Sequence, residues 1–173
     1  MIKVFLISIF ALLTGFHSTA QVNDTKVLVD SLNYLKEDTI DCNTDLYWRI
    51  ISKGQDAIPA LIDKLTDTSA TKVRWHCKKT CLNVAEIAQF ALVEIAYFPA
   101  AKITHWQFDL VENDCWNFYD YFFDNSNKAG YQKLVRSWYQ EQRKKYKASE
   151  IPKKKLSACR VKYNLKVYYD WEE

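Results

Sequence analysis

The sequence predicts a mainly α-helical domain with a short β-strand or hairpin at its C-terminus. Hydrophobic residues make up 49% of the chain, while only three glycines and three prolines are present to interrupt helices. Aliphatic residues recur at helical spacing in several segments, whereas apolar and polar residues alternate with a period of two from Val161 onward. These observations favour a compact bundle of antiparallel helical hairpins over a many-stranded barrel.

The first twenty residues have the order of a secretory signal peptide. Lys3 is their only charge, and the apolar run from Val4 to Leu13 is followed by more polar residues. Ser18 and Ala20 are small residues at the positions that suit cleavage after Ala20, and the apolar run is shorter than the roughly 20 residues of a membrane-spanning helix. We therefore expect cleavage near Ala20, export to the periplasm or the medium, and no remaining membrane span.

The charge balance argues against nucleic acid as a partner. The formal net charge is +3, including Lys3, and so small a charge gives no general attraction for a polyanion. The chain beyond the predicted signal peptide, about 150 residues, has the size of one domain. We expect a helical domain over residues 21–147 and a strand-like tail, residues 148–173, packed on the same domain.

Three amphipathic helices are predicted in the first part of the mature chain. The first spans Thr25 to Asp38, and the second runs from about Thr44 to Ile51. Gly54 follows at the position of a left-handed C-cap, and a third helix starts at Asp56, which indicates an antiparallel hairpin. Pro59 lies in the first turn of that helix, where its missing amide does no harm. The apolar stripes are Leu28, Leu32 and Leu35 in the first helix and Ile58, Leu61, Ile62 and Leu65 in the third.

The most apolar helix is predicted to begin at Asn83. The stretch before it, Asp67 to Lys79, contains threonines and a serine that favour turns, so we expect a loop there. Asn83 precedes Glu86 by three residues, which is the spacing of a capping box, and Pro99 closes the helix. Its apolar stripe predicts a central position in the core: Val84, Ile87, Ala88, Ala91, Leu92 and Ile95.

Residues 104–123 are predicted to add a short helix and a dense group of rings. Thr104 and Gln107 repeat the capping-box spacing ahead of a short helix that contains Phe108 and Leu110. The following stretch, DCWNFYDYFF at 114–123, either lines a ligand groove or fills the space where helices cross. The second interpretation is favoured, because aromatic side chains supply much of the buried area of a small core.

The C-terminal part is predicted to be one more helix and a strand. Residues 125–130 indicate a turn, and Tyr131 to Tyr146 indicates a last helix that ends in cations, which suit the negative end of its dipole. The alternation from Val161 to Trp171 predicts a strand. Because a lone strand leaves its backbone groups unpaired, we expect it to pair with residues 155–160, with a short segment elsewhere, or with another molecule.

Cysteine usage predicts disulfide bonds. An exported chain meets an oxidising compartment, so two bonds and one free thiol are the simplest expectation. Cys77 and Cys81 are close enough to pair if their segment is an irregular loop, although not on a regular helix. A zinc site that adds His76 and His105 lacks the usual two-residue cysteine spacing, so we expect no metal and no other cofactor. The disulfide candidates are Cys42, Cys77, Cys81, Cys115 and Cys159.

The stretch WRIISKGQDAIPALIDKLTD, from Trp48 to Asp67, resembles a HEAT-type repeat unit, in which a glycine separates a helix from a second one that opens with alanine and proline. Val84 to Pro99 is similar to the second helix of a following unit. From about Leu46 to Trp138 the chain resembles small exported proteins of Bacteroidetes-like bacteria that have no assigned activity. These motifs are packing motifs, so the resemblance implies stacked helices rather than a particular function.

No catalytic set of residues is recognisable. After the predicted signal peptide the chain has only two histidines, His76 and His105, and neither lies in a hydrolase motif. It also lacks a glycine-rich phosphate loop. Two acidic pairs are expected on solvent-exposed helix faces: Asp63 with Asp67, and Glu86 with Glu94.

Small size, export and the absence of catalytic motifs predict a non-enzymatic protein-binding module of the bacterial cell envelope, with an immunity-type inhibitor of an exported toxin as one form. The alternative is a small exported hydrolase-like enzyme that uses His105 or His76. A basic run is a candidate for contact with an anionic surface, although a solvated helix end explains it more simply. The run comprises Arg143, Lys144, Lys145, Lys147, Lys153, Lys154 and Lys155.

Overall fold

The computed structural model describes residues 24–172, so the predicted signal peptide, residues 1–20, lies outside the described part of the chain. Residues 24–30 are helical (α1). The helices that follow are α2 (Asp45–Ile51), α3 (Ile58–Lys64), α4 (Val84–Ile95), α5 (Ala100–Thr104), α6 (Phe118–Phe123), α7 (Asn125–Gln142) and α8 (Ala158–Lys162). The strands are β1 (Val111–Glu112), β2 (Cys115–Trp116), β3 (Tyr146–Glu150) and β4 (Val167–Trp171), which form the antiparallel pairs β1–β2 and β3–β4.

The predicted mainly α-helical class with a short C-terminal β-hairpin is confirmed. None of the helices within residues 24–172 combines the length and the apolar character that crossing a bilayer requires.

Helix α4 forms the centre of the hydrophobic core, and α2, α3 and β4 all contact it. It begins with the predicted capping box: Asn83 Oδ1 accepts the amide of Glu86 at 3.1 Å, and the Asn83 amide donates to Glu86 Oε2 at 2.9 Å. Every residue of its predicted apolar stripe is buried. The alanines of α4 let neighbouring elements approach the helix closely, which suits a central position.

Gly54 connects α2 to α3 in the left-handed conformation, with φ of +57°. A Cβ at this position would lie 3.0 Å from the Tyr169 hydroxyl oxygen, so a larger residue meets both backbone strain and a steric contact. Pro59 lies in the first turn of α3 as predicted. The chain therefore turns tightly between two helices that both pack against α4.

Two predicted segments have a different secondary structure. Thr104 ends helix α5 instead of starting a helix, because its hydroxyl donates to the Ala100 carbonyl at 2.7 Å and His105 turns left-handed with φ of +60°. The turn predicted at 125–130 is the first part of α7. Asp124 caps that helix by accepting the Ser126 amide at 2.9 Å, and the helix continues through Gly130.

The first and last predicted long helices both end earlier than expected. The helical residues 24–30 are followed by a 3₁₀ turn, Ser31–Tyr34, and the chain leaves helical conformation before Asp38. Helix α7 ends at Gln142, where a second 3₁₀ turn, Arg143–Lys145, leads into β3. The end of the predicted last helix is thus a 3₁₀ turn, and only its final residue, Tyr146, belongs to the strand that pairs with β4.

Strand β4 pairs with β3, which corresponds to the expected alternative of a short segment elsewhere in the chain. The register runs from Tyr146 opposite Trp171 to Glu150 opposite Val167. The predicted start of the strand at Val161 is wrong, because α8 occupies that position. Strand β4 also contacts the chain just after α4, since the Tyr97 amide donates to the Tyr169 carbonyl at 2.9 Å.

Candidate functional site

Two disulfide bonds join distant parts of the chain, and the predicted count of two bonds and one free thiol is confirmed. Cys42 is bonded to Cys159, and Cys77 is bonded to Cys115, across 117 and 38 residues respectively. Cys81 is free. The pairing of Cys77 with Cys81 is wrong: their segment is an irregular loop, but that loop folds so that Cys77 meets Cys115. These bonds indicate that the chain folds in an oxidising environment.

His76 lies next to the Cys77–Cys115 bond. A ring nitrogen of His76 and the two sulfur atoms all lie within 4.8 Å of one another, and this is the only such group of potential metal ligands among residues 24–172. Cys81 and His105, the other residues of the zinc alternative, are not part of it. The two sulfurs are bonded to each other and are not thiolates, so in this state they are not zinc ligands.

The Cys77–Cys115 bond anchors an exposed hairpin at residues 105–116. Its strands β1 and β2 pair Glu112 with Cys115, which leaves Asn113 and Asp114 as a two-residue turn. Both turn residues are left-handed, with φ of 51° and 62°, as a type I′ turn requires. The hairpin therefore has a fixed turn at its tip and a covalent attachment beside it.

Large apolar side chains are exposed on this hairpin. Trp106 is 64% exposed, and Leu110 and Val111 are each 67% exposed. Removing side chains of this kind from water is worth about 1.5–3 kcal/mol each. Three such residues within a six-residue stretch mark a candidate interaction surface, because exposed large apolar side chains that lie near one another often belong to contact sites.

The charges on the hairpin itself all have one sign. Between Lys102 and Lys128 the sequence contains acidic residues and neither lysine nor arginine. Asp109, Glu112 and Asp114 lie on the hairpin itself and are exposed. The hairpin thus presents apolar side chains with an acidic border.

The base of the hairpin is held by aromatic packing and hydrogen bonds. The Trp116 indole donates to the Phe108 carbonyl at 2.6 Å, and the Asn117 amide donates to the Leu110 carbonyl at 3.0 Å. The ring of Phe108 packs edge-on against Phe118, which is fully buried. Phe118 and Phe122 of the aromatic-rich stretch therefore fill the core, and its other four rings are partly buried against it, as the favoured interpretation expected.

Tyr119 of that stretch lines a cavity instead. The cavity has a volume of about 470 Å³ and lies between α2, α4, α6 and the loop before α4. Trp75 contacts both Phe90 and Tyr119 edge-to-face, with ring centroids 4.9 and 4.7 Å apart. Cavity-lining residues include Tyr47, Trp75, His76, Phe90, Glu94 and Tyr119.

Tyr47 and Glu94 are two polar groups of the cavity wall. Tyr47 is only 3% exposed, and its hydroxyl has no hydrogen-bond partner in the described part of the chain. Burial, together with the nearby Glu94 carboxylate, raises the pKa of Tyr47 well above its ordinary value. Arg160 donates to Glu94 Oε2 from Nε at 3.2 Å and from a terminal nitrogen at 2.9 Å.

Glu86 is fully buried, so the prediction that it lies on a solvent-exposed face is wrong. Its Oε1 accepts Lys128 Nζ at 3.1 Å, and Lys78 Nζ approaches its two oxygens at 2.8 and 2.6 Å. Lys128 also donates to the Phe122 carbonyl at 2.8 Å. Burial lowers the pKa of Lys128, although Glu86 opposes that shift. The network connects α4 to α7 and to the preceding loop.

The other predicted site residues lie at the surface. Asp63 pairs with Arg136 at 2.7 Å, and Asp67 pairs with Lys64 at 3.2 Å. All seven residues of the basic run are exposed or nearly so, in two groups that flank β3 and with Lys147 on that strand. Five strand residues span about 17 Å, so the run is an extended basic edge and not a single cluster.

The cavity was not predicted because its residues are distant in sequence. Tyr47, Trp75 and Glu94 belong to three different segments, and helical periodicity describes each segment separately. The hairpin had a usable signal, the stretch from Lys102 to Lys128 without internal basic residues. That signal indicates a candidate surface, but it does not show that Trp106, Leu110 and Val111 are exposed.

Comparisons of the chain with protein-family models, curated proteins and solved structures find no significant match. The resemblance of Trp48–Asp67 to a HEAT-type unit therefore stays a prediction.

Proposed function

We propose that this chain is an exported, non-enzymatic protein-binding module of the bacterial cell envelope, and that it binds its partner through the 105–116 hairpin. The observation that carries the proposal is the exposure of Trp106, Leu110 and Val111 on a hairpin anchored by a disulfide bond. A few residues, with tryptophan prominent among them, contribute most of the binding energy at protein interfaces.

The geometry of the hairpin favours a folded protein as the partner. A turn with fixed backbone angles and a covalent anchor loses little conformational entropy on binding, which leaves more of the contact energy as affinity. Asp109, Glu112 and Asp114 border the apolar side chains, so the complementary surface is an apolar pocket with a basic rim.

The proposed location combines two observations. The disulfide bonds fit an oxidising compartment, and the first twenty residues have the order of a signal peptide with cleavage near Ala20. The periplasm or the surrounding medium satisfies both. The bacterial cell envelope, and the HEAT-like character of the helical part, rest on the resemblance of Leu46–Trp138 alone.

An immunity-type inhibitor is one concrete form of the proposed module. A rigid hairpin with large apolar side chains is suited to insertion into the cleft of another protein, and the partner would then be an exported toxin. This form predicts that one equivalent of the mature chain abolishes the activity of the captured protein.

The test replaces a hairpin residue with a photo-crosslinking residue, as Val111→p-benzoylphenylalanine, in cells that export the chain. We expect a discrete cross-linked complex from this position and none from the same replacement at Tyr34, which is 74% exposed but lies outside the hairpin. Equal cross-linking at both positions, or none at Val111, would contradict the proposal.

The cross-linked protein is then purified and its affinity measured directly. Trp106→Ala is expected to weaken binding by about tenfold or more, because a buried tryptophan is a typical hot-spot residue. Tyr34→Ala is the matched control and should leave the affinity unchanged. The hydrolase-like alternative expects instead that a His76→Ala, His105→Ala double variant loses a measurable activity.

A further inference from the structure

We infer that the cavity beside Trp75 is a binding site for a neutral sugar ring. This inference is independent of the proposed function, because the cavity and the exposed apolar residues of the 105–116 hairpin are different surfaces. The cavity volume of about 470 Å³ falls within the range of roughly 300–1,000 Å³ that small-molecule sites occupy.

The cavity wall offers aromatic rings to an apolar ligand face. Trp75, Phe90 and Tyr119 contact one another edge-to-face, with centroids between 4.7 and 5.5 Å apart, and all three line the cavity. The face of an aromatic ring is electron-rich and attracts the slightly positive C–H groups that a pyranose presents on one side. A sugar ring can therefore pack its C–H face against these aromatic rings and still present hydroxyl groups to the polar part of the cavity.

The same cavity contains two oxygen atoms that make no hydrogen bond within residues 24–172. The Tyr47 hydroxyl makes no hydrogen bond within the described residues, although the side chain is only 3% exposed. Glu94 Oε2 accepts both bonds from Arg160, while Oε1 accepts none from residues 24–172. A ligand that pairs with these atoms adds hydrogen bonds to its contact with the aromatic rings.

Adjacent sugar hydroxyls match this arrangement. A hydroxyl is both donor and acceptor, so one hydroxyl of the ligand donates to Glu94 Oε1 while its neighbour accepts the proton of the Tyr47 hydroxyl. A ligand with donors alone satisfies Glu94 but leaves the Tyr47 proton unpaired.

The charges of the cavity favour a neutral ligand. Glu94 is already paired with Arg160 at 2.9 Å, so its carboxylate does not require a cation from the ligand. Arg74 lines the same cavity and disfavours a cationic ligand there, while Glu94 disfavours an anionic one. A polyhydroxyl compound meets the hydrogen-bonding demand without adding charge.

The experiment titrates the mature, oxidised chain with glucose, galactose, mannose, N-acetylglucosamine and their common disaccharides. Binding is followed by tryptophan fluorescence and by two-dimensional NMR. We expect at least one of these saccharides to shift the resonances of Trp75 and Tyr119 with a Kd of about 10 mM or below. If no saccharide shifts them, or if a charged amine or amino acid binds there more tightly than every saccharide, the inference is wrong.

Variants locate the bound sugar. Tyr47→Phe removes only the hydroxyl and is expected to weaken binding by about three- to tenfold, the value of one hydrogen bond. Tyr34→Phe removes a hydroxyl from an exposed tyrosine outside the cavity and should have no effect. Equal affinities for wild type and Tyr47→Phe, with unchanged circular dichroism, would overturn the assignment. Saccharide binding in the cavity does not depend on protein binding through the hairpin, so either proposal can be wrong while the other holds.

Discussion

The sulfur atoms of Cys77 and Cys115 are bonded to each other, and this bond joins the loop that lines the cavity to the second strand of the exposed hairpin. Cys77 is the residue after His76, which lines the cavity, while Cys115 pairs with Glu112 in the hairpin. One covalent link therefore restrains both candidate sites.

Removing this bond should loosen both sites together. In a Cys77→Ser, Cys115→Ser variant we expect the free energy of unfolding to fall by about 2–4 kcal/mol, since the bond closes a long loop. Amide hydrogen exchange should accelerate within residues 105–116 and in the loop before α4. Cys81→Ser is the control, because Cys81 is unbonded and its replacement breaks no covalent link. Unchanged exchange in the double variant would contradict the proposed restraint.

Two glycines should respond to alanine in opposite directions. Gly54 is left-handed and faces the Tyr169 hydroxyl, so Gly54→Ala is expected to destabilise the fold by about 1–2 kcal/mol. Gly130 lies inside α7, and a methyl group added there would meet open space, so Gly130→Ala should stabilise the fold by about 0.5–1 kcal/mol. Urea denaturation measures both. The same sign for both variants would show that backbone conformation is not the deciding factor.

Local patterns in the sequence predict the helices whose ends are determined locally. The capping box at Asn83 and the proline at Pro59 depend only on residues within one turn, and both are present in the structure. The turn predicted at 125–130 is wrong because the Asp124 cap and the burial of Lys128 outweigh the low helix propensity of Gly130. Tertiary contacts decide such cases.

Pairing over long distances was beyond prediction from the sequence. The alternation near the C-terminus indicated a strand, but its partner β3 begins at Tyr146, the last residue of a predicted helix, and no local pattern identified it as the partner. The number of disulfide bonds followed from the number of cysteines, whereas the pairing of Cys42 with Cys159 depends on the fold of the whole chain. The cavity likewise exists only after α2, α4 and α6 have packed.

Glu86 should be essential to stability, although no catalytic role is assigned to it. Glu86→Gln removes the negative charge between Lys78 and Lys128 and leaves the buried Lys128 ammonium group without its counter-charge beside the partly buried Lys78, which we expect to cost about 3–5 kcal/mol. Glu141→Gln on α7 is the matched control, because Glu141 is exposed. Thermal unfolding compares the two variants, and equal melting temperatures would contradict the importance of the network.

Acid should weaken the ion pairs around Lys64, which lies 3.1 Å from Asp30 and 3.2 Å from Asp67. A hydrogen bond from Lys26 lowers the pKa of Asp30. Burial raises the pKa of Asp67, but hydrogen bonds from Ser69 and Lys64 outweigh burial, so the pKa of Asp67 is also lowered. Carboxylates with a lowered folded-state pKa stabilise the fold above the unfolded value of 3.8, and this contribution disappears as the pH falls through the folded-state pKa.

The Lys64→Met variant should therefore lose less stability than wild type between pH 5 and pH 2. The expected difference is about 1 kcal/mol or less, because these pairs are partly exposed. Lys133→Met, at an exposed position of α7, is the control and should retain the wild-type pH dependence. Parallel pH curves for wild type and Lys64→Met would show that these pairs do not contribute.

The basic edge formed by Arg143–Lys145, Lys147 and Lys153–Lys155 should bind flat anionic surfaces in preference to small anions. Its two outer groups are separated by about 17 Å of β3, so a single phosphate meets only one group while a vesicle of anionic lipid meets both. Each lysine near such a surface contributes about 1 kcal/mol, and salt screens this attraction.

Binding to phosphatidylglycerol vesicles at low salt is therefore expected, with a loss as the salt concentration rises. A variant with Lys153→Gln, Lys154→Gln and Lys155→Gln should bind at least tenfold more weakly, since it loses about 3 kcal/mol of surface attraction. The control replaces Lys26, Lys36 and Lys133 by glutamine, which removes the same charge from other parts of the surface. Binding that does not depend on salt, or no binding at low salt, would exclude an electrostatic site. Equal losses in both variants would show that the position of the lysines does not matter, which would exclude the basic edge as a specific surface site.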